Sequence, residues 1–214
     1  NAKLYDEQQK IYMNTIHALV SAIEASDSYT RGHSERVTRY SMELARKLEL
    51  PQERLKIIER AAILHDIGKI GIDLTLLHKK GNLTPEDVYD LQQHPVIGMN
   101  ILEPIEFLHE VRICIGQHHE RYDGRGYPCN VQASGLLLES RILAIADAFD
   151  AMTSDRPYRK ALPLEMALQE LTNEAGKQFD PELVPHFIAL MKSGTSSFQK
   201  ANNPQNIETP LSAA

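Results

Sequence analysis

The chain of 214 residues has no tryptophan, only two cysteines and an aromatic share of 6%. Two cysteines, Cys114 in an apolar helical stretch and Cys129 in a loop, cannot build a disulfide framework and fit a reducing compartment. No run of about eighteen apolar residues occurs, and no basic stretch followed by an apolar one opens the chain. Neither a transmembrane segment nor a secretory signal is therefore expected, and a cytoplasmic location is. An excess of positive charge is missing too. A formal net charge of -6 argues against a nucleic acid polymer as partner, because a phosphate polymer is normally met by a basic face that releases counterions. A small phosphate substrate stays open, since bound divalent cations can invert the local potential of an acidic protein.

What is present is helical periodicity. At 42% hydrophobic residues the chain is long enough for one domain with a core. Val37, Tyr40, Leu44 and Leu48 recur at three-and-four spacing, as do Leu55, Ile58, Ala62 and His65. Gly68, just past the second series, is expected as a left-handed C-terminal residue, with His65 and Asp66 on the last turn. Thr84-Pro85-Glu86-Asp87 reads as a capped helix start, and that segment should close near His94-Pro95, where proline pushes histidine out of helical geometry. Leu108, Val111 and Ile115 predict a helix ending at His118-His119, followed by a glycine-rich loop over Tyr122 to Pro128. Leu138, Ile142, Ile145, Phe149 and Met152 form the stripe of another helix, with Leu143, Asp147 and Asp150 on a different face. Further helices open at Pro163 and at Asp180-Pro181.

The fold class is all-α, a bundle of roughly seven to nine helices, with a small hairpin around Tyr127 to Leu138 as the one strand expectation. Residues 1–27 read as an N-terminal helix, either an ordinary amphipathic first helix or one entering from an upstream partner, sensor or receiver domain, residues 28–194 as the domain itself, and residues 195–214 as a disordered tail.

Nine histidines are many for this length. His17, His78, His109 and His186 have no acidic or histidine neighbour in a recognisable pattern and read as ordinary surface or core residues. The pair His65-Asp66 alone decides nothing, nor does His118-His119. Their combination with His33, His94 and Asp147 is different, because each falls at the end or on a second face of a separate helix, and bundles build metal sites from side chains of several facing helices. The inventory suits two six-coordinate divalent ions. Asp66 bridges them, His33, His65 and Asp147 complete one set, and His94, His118 and His119 the other. A bridging hydroxide and about two open positions for substrate oxygens then remain, as a two-metal hydrolase needs. Lys69 adds a positive charge beside Asp66 that can meet a phosphate oxygen or the leaving alkoxide.

The segments His65-Asp66-Ile67-Gly68-Lys69 and His118-His119-Glu120-Arg121-Tyr122-Asp123-Gly124-Arg125-Gly126-Tyr127-Pro128 resemble the HD-GYP family of bacterial phosphodiesterases. The likeness extends from about residue 10 to 192. It includes Gly32 to Val37, Ala146 to Met152, Arg156-Pro157-Tyr158-Arg159 and Phe179-Asp180-Pro181. The resemblance implies an HD-domain helical bundle with catalytic Asp66 and Lys69, a bacterial cytoplasmic setting, and iron or manganese as the two ions. It implies cyclic di-GMP as substrate, opened to linear pGpG or further to GMP. Lys69 would contact the scissile phosphate, Tyr127 would line the guanine or phosphate pocket, and Arg156 and Arg159 would hold phosphate oxygens. An upstream regulatory domain and a homodimer are compatible with it. Some similar members carry a glutamate four residues before the first histidine, helping to hold a third metal; here the position is Tyr29, which argues for two ions and against efficient hydrolysis to GMP. Cys129 to Ser134 also departs from the usual glycine-leucine run. The rival readings are an HD-type nucleotide phosphohydrolase with one ion, a non-catalytic cyclic di-GMP sensing module, a di-iron oxygenase on the same scaffold, and a structural protein without catalysis.

Overall fold

The computed structural model describes residues 2–26, 32–79, 81–155 and 160–193. Tyr29, Arg156, Arg159 and the tail 195–214 lie outside the described residues. Ten α-helices are present among those described: α1 Ala2–Ser26, α2 His33–Lys47, α3 Gln52–Leu64, α4 Leu74–Leu77, α5 Pro85–Leu91, α6 His94–Leu102, α7 His109–Gln117, α8 Leu138–Thr153, α9 Leu164–Asn173 and α10 Leu183–Lys192. α4 is a single turn, so nine helices exceed four residues, in line with the bundle read from the periodicity. Short 3-10 turns occupy Ile67–Gly71, Glu106–Leu108 and Ala133–Gly135. No helix is long and apolar enough to cross a membrane among the described residues.

The stripes predicted by spacing face one core. Val37, Tyr40 and Leu44 of α2, Ile58 and Ala62 of α3, Val111 and Ile115 of α7 and Ile142, Ile145 and Phe149 of α8 are all buried. Each buried Val, Leu, Ile or Phe among them contributes about 1.5–3 kcal/mol on leaving water. Tyr40, Phe149 and Phe187 of α10 form an edge-to-face triangle with centroids 5.1 to 6.4 Å apart. This ties α2, α8 and α10 together beneath the polar end of the bundle.

Three local expectations are corrected. Gly68 does not cap α3 with positive φ; it sits inside the Ile67–Gly71 turn, and α3 ends four residues earlier. Its need for glycine is steric, since a Cβ there would lie 1.8 Å from the His94 carbonyl oxygen and 2.6 Å from the Gly98 nitrogen. His94 does not end a helix but begins α6, because Pro95 in a first turn forfeits no needed N–H. α5 begins as expected, with Thr84 and Asp87 forming a reciprocal capping box.

The hairpin after Tyr127 is absent: no named strand occurs among the described residues, and Ala133–Gly135 is a 3-10 turn. The buried Glu120 carboxylate accepts from the backbone N–H of Cys129 at 2.6 Å and of Val131 at 3.1 Å, so those amides are taken by a side chain instead of a ladder.

Gly68→Ala is expected to lower unfolding free energy by about 3 kcal/mol, at the upper end of overpacking costs, since its neighbours are backbone atoms that cannot rotate away. Urea denaturation of the metal-free variant beside the metal-free wild type checks this; a loss under about 1 kcal/mol would contradict it.

Candidate metal centre

The histidines singled out above stand where helices begin or stop. His33 and His94 are the first residues of α2 and α6, His65-Asp66 follows α3, His118-His119 follows α7, and Asp147 lies within α8. The structure brings all seven residues together. His33, His65 and Asp66 each offer an atom within 4.8 Å of the others, as do His94, His118 and His119. Asp147 Oδ1 lies 3.2 Å from His33 Nε2. Asp66 spans the two groups, with Oδ2 3.4 Å from His65 Nε2 and Oδ1 3.6 Å from His94 Nε2.

The rings are aimed by what holds their outer nitrogens. Nδ1 of His65 donates to the Ala62 carbonyl at 2.8 Å, Nδ1 of His94 to that of Leu91 at 2.8 Å, and Nδ1 of His118 to that of Ile115 at 2.6 Å. All three acceptors sit three residues earlier, on the last turn of a helix or just beyond it, where carbonyls lack intrahelical partners. With Nδ1 donating outward, Nε2 of each ring points inward. His94 Nε2 and His118 Nε2 are 3.2 Å apart, and His33 Nε2 and His65 Nε2 are 3.1 Å apart.

His33 is held differently, by a residue that the sequence reading placed on a second face of α8 and gave no role. Its Nδ1 lies 2.7 Å from Asp150 Oδ2, and Arg36 grips the same carboxylate through Nε at 2.6 Å and Nη2 at 3.0 Å. Burial opposes charge on His33, yet the bonds to Asp147 and Asp150 lift its pKa to about 10. Burial alone would raise the Asp150 carboxyl; His33 and Arg36 outweigh it and hold it below the usual range. Likewise Asp66 is held well below that range by Lys69 and His65 against its burial, and Asp147 by His33. At the opposite end the sign reverses. Burial keeps His94 and His118 neutral, with neighbouring charges adding to it at His118, and pushes His119 down to about 4.

This donor set fits divalent cations. A proton on His33 can bridge to His65 or Asp147, but between His94 and His118 two acceptor nitrogens face each other with no proton to share. Imidazole and carboxylate donors without thiolate suit iron, manganese or zinc.

A family model described as "HD domain" matches residues 18–183. The chain belongs to the HD domain family. Over 181 residues it is 39% identical to the cyclic di-GMP phosphodiesterase response regulator RpfG of Xanthomonas campestris pv. campestris (strain 8004), covering 84% of this chain and 48% of that protein. It is 36% identical over 178 residues to 3'3'-cGAMP-specific phosphodiesterase 3 of Vibrio cholerae serotype O1, covering 83% of this chain and 38% of that one. The chain thus spans half or less of the length of these curated relatives. A crystal structure of a cyclic GMP-AMP specific phosphodiesterase of V. cholerae, V-cGAP3, shares the fold at a TM-score of 0.67 and 21% identity, over 84% of this chain and 48% of that one.

Within this HD domain, Lys69 stands on the Ile67–Gly71 turn with Nζ 2.6 Å from Asp66 Oδ2. Tyr127 stacks on His119, with centroids 4.9 Å apart at 29°, and burial pushes its hydroxyl pKa up. Glu120 holds that loop in place, a role the sequence reading did not assign. Gly126 lets the loop pack against its own start, because a Cβ there would lie 2.3 Å from the Arg121 nitrogen. Arg121 ties the loop to Asp123, Glu174 and Gln178. His17, His78, His109 and His186 belong to neither histidine group.

Replacing Asp150 by asparagine removes the buried carboxylate that Arg36 and His33 share. We expect a loss of about 3–5 kcal/mol in the metal-free protein by chemical denaturation, as for other broken buried pairs; a loss under about 1 kcal/mol, the level of an exposed pair, would show that Asp150 carries no such role. A second expectation concerns pH. His119 titrates near 4 in the folded chain and near 6.5 when unfolded, so between those values the unfolded chain binds more protons. Stability of the metal-free protein should therefore fall as pH drops from about 6.5 to about 4. His119→Gln should flatten that slope in thermal melts, and an unchanged slope would refute the assignment.

Proposed function

We propose that this chain is a metal-dependent phosphodiesterase that opens cyclic di-GMP to linear pGpG at a centre of two divalent ions, iron or manganese. The observation that carries the reading is the pair of facing nitrogens on His94 and His118, buried and 3.2 Å apart, beside a second group joined to it by Asp66. His33, His65, Asp66 and Asp147 are the proposed ligands of one ion, and Asp66, His94, His118 and His119 those of the other. The names of the relatives support a cyclic dinucleotide as substrate.

When bound, two such ions lower the pKa of water and stabilise charge on a phosphoryl group. The chain's own residues do the rest. Asp66 keeps the two positions at one carboxylate's span. Lys69, bonded to Asp66, stands where it can transfer a donor to a phosphate oxygen as negative charge develops. Tyr127, stacked on His119, offers an aromatic edge to a base or phosphate. Arg156 and Arg159 are assigned to the remaining phosphate oxygens through their planar forks. With Tyr29 in place of a carboxylate ligand, the first cleavage is the assigned end point. Residues 28–194 are the proposed catalytic unit of a bacterial cytoplasmic signalling protein, with the helix before it leading from a sensor or receiver domain, and a homodimer is compatible with that arrangement.

The test incubates anaerobically purified, metal-loaded protein with cyclic di-GMP and, separately, 3'3'-cGAMP, with products resolved by chromatography and metal counted per chain. We expect pGpG, two ions, and a loss of at least about a hundredfold for Asp66→Ala, the scale of removing one transition-state contact. Unchanged turnover in that variant would sink the mechanism. Binding without product would turn the assignment to a sensing module, and a single ion with monomeric nucleotide turnover to a nucleotide phosphohydrolase.

A further inference from the structure

The residue ahead of His33 is a position where serine, threonine, aspartate or asparagine usually caps a helix. Gly32 occupies it with φ 69° and makes no side-chain cap. The capping group comes from another helix. Glu24, in the last two turns of α1, accepts from Ser34 N at 2.8 Å through Oε1 and from Gly32 N at 3.0 Å through Oε2. These two amides flank His33. A carboxylate at a helix N-terminus is also favoured by the helix dipole. The His33 backbone is thereby fixed by α1, while its ring is fixed by Asp150 of α8.

Among the described side chains of α1, Ile16, Val20 and Met13 reach the core. Tyr12 meets Phe107 edge-on at 5.9 Å, while Ile11 and Leu19 are exposed. The helix packs on α3 and on the Ile67–Gly71 turn that carries Lys69. By contrast His94 and His118 take their orientation from the backbone carbonyls of Leu91 and Ile115, which do not belong to α1.

We propose that Glu24 is a positioning residue through which the seating of α1 sets the cation position on the His33 side, so that shifting α1 weakens one of the two positions and spares the other. The proposal rests on the two-cation reading of the site but not on its chemistry.

The test titrates Mn2+ into the metal-free full chain in competition with a fluorescent chelator, with no nucleotide present. Wild type is expected to take up two Mn2+. Glu24→Ala should weaken one of them about tenfold or more, the scale reported for groups that orient metal ligands, and leave the other unchanged. Glu24→Gln keeps an oxygen acceptor and should recover part of the loss. Ile16→Ala with Val20→Ala loosens α1 without touching the cap and should reproduce the one-sided loss; it decides the matter if Glu24→Ala does not fold. Two unchanged affinities, equal weakening of both, or fewer than two Mn2+ in wild type would overturn the proposal. A wild type that takes up two Mn2+ but cleaves no cyclic dinucleotide would overturn the phosphodiesterase reading alone, with the Mn2+ comparison still deciding the role of Glu24.

Discussion

Two imidazole nitrogens that both need a positive partner face each other across 3.2 Å at His94 and His118, and the domain is arranged to keep them there. Protonating either ring is opposed by burial, and turning either ring would strip a helix-end carbonyl of its donor. The strain is relieved by a cation at that point and by little else available inside the bundle. Packing enforces the approach. Gly68 and Gly98 let the Ile67–Gly71 turn lie against α6, Gly98 sits under Ile115 of α7, and Gly116 leaves room for the Met99 sulfur. Those contacts bring the starts and ends of α3, α6 and α7 to one place, and the histidines come with them.

Because the histidines and Asp66 sit at helix ends, much of the centre was legible before the fold was known. Helix ends are marked locally, by Thr84 and Pro85, by the adjacent His118-His119, by Pro95 behind His94, and a residue at an end needs no knowledge of rotation about the helix axis. The core stripes through Val37, Tyr40 and Leu44 or Ile142, Ile145 and Phe149 were legible for a similar reason, since periodicity depends only on near neighbours.

What stayed hidden depends on distant partners. Asp150 meets Arg36 across 114 residues and His33 across 117, so its spacing of three from Asp147 marked a shared face without revealing what lay opposite. Glu24 drew no role from the sequence, because its partners, the amides of Gly32 and Ser34, are recognised only once α2 is seen to begin between them. Gly68 looked like a helix cap because glycine usually follows a helix for its left-handed conformation, whereas here the cause is a carbonyl of α6 that only tertiary packing supplies. The hairpin failed for a related reason: the Glu120 side chain takes two of the amides a strand would have used, and propensity has no sight of a buried acceptor.

The two halves of the centre are therefore built on different physics. In one half His94 and His118 rely on backbone carbonyls and on burial, and His119 on burial and its stack with Tyr127. In the other half the His33 ring relies on the Asp150–Arg36 ion pair and its backbone on the Glu24 cap of α2, side chains that α8, α2 and α1 supply, while His65 alone shares the backbone-carbonyl support. Backbone acceptors move only if a helix moves as a whole, whereas a carboxylate reaching from α1 follows whatever displaces α1. Any control exercised from outside the bundle has its shortest path through the second kind of support, since the carbonyls that aim His94 and His118 belong to other helices than α1.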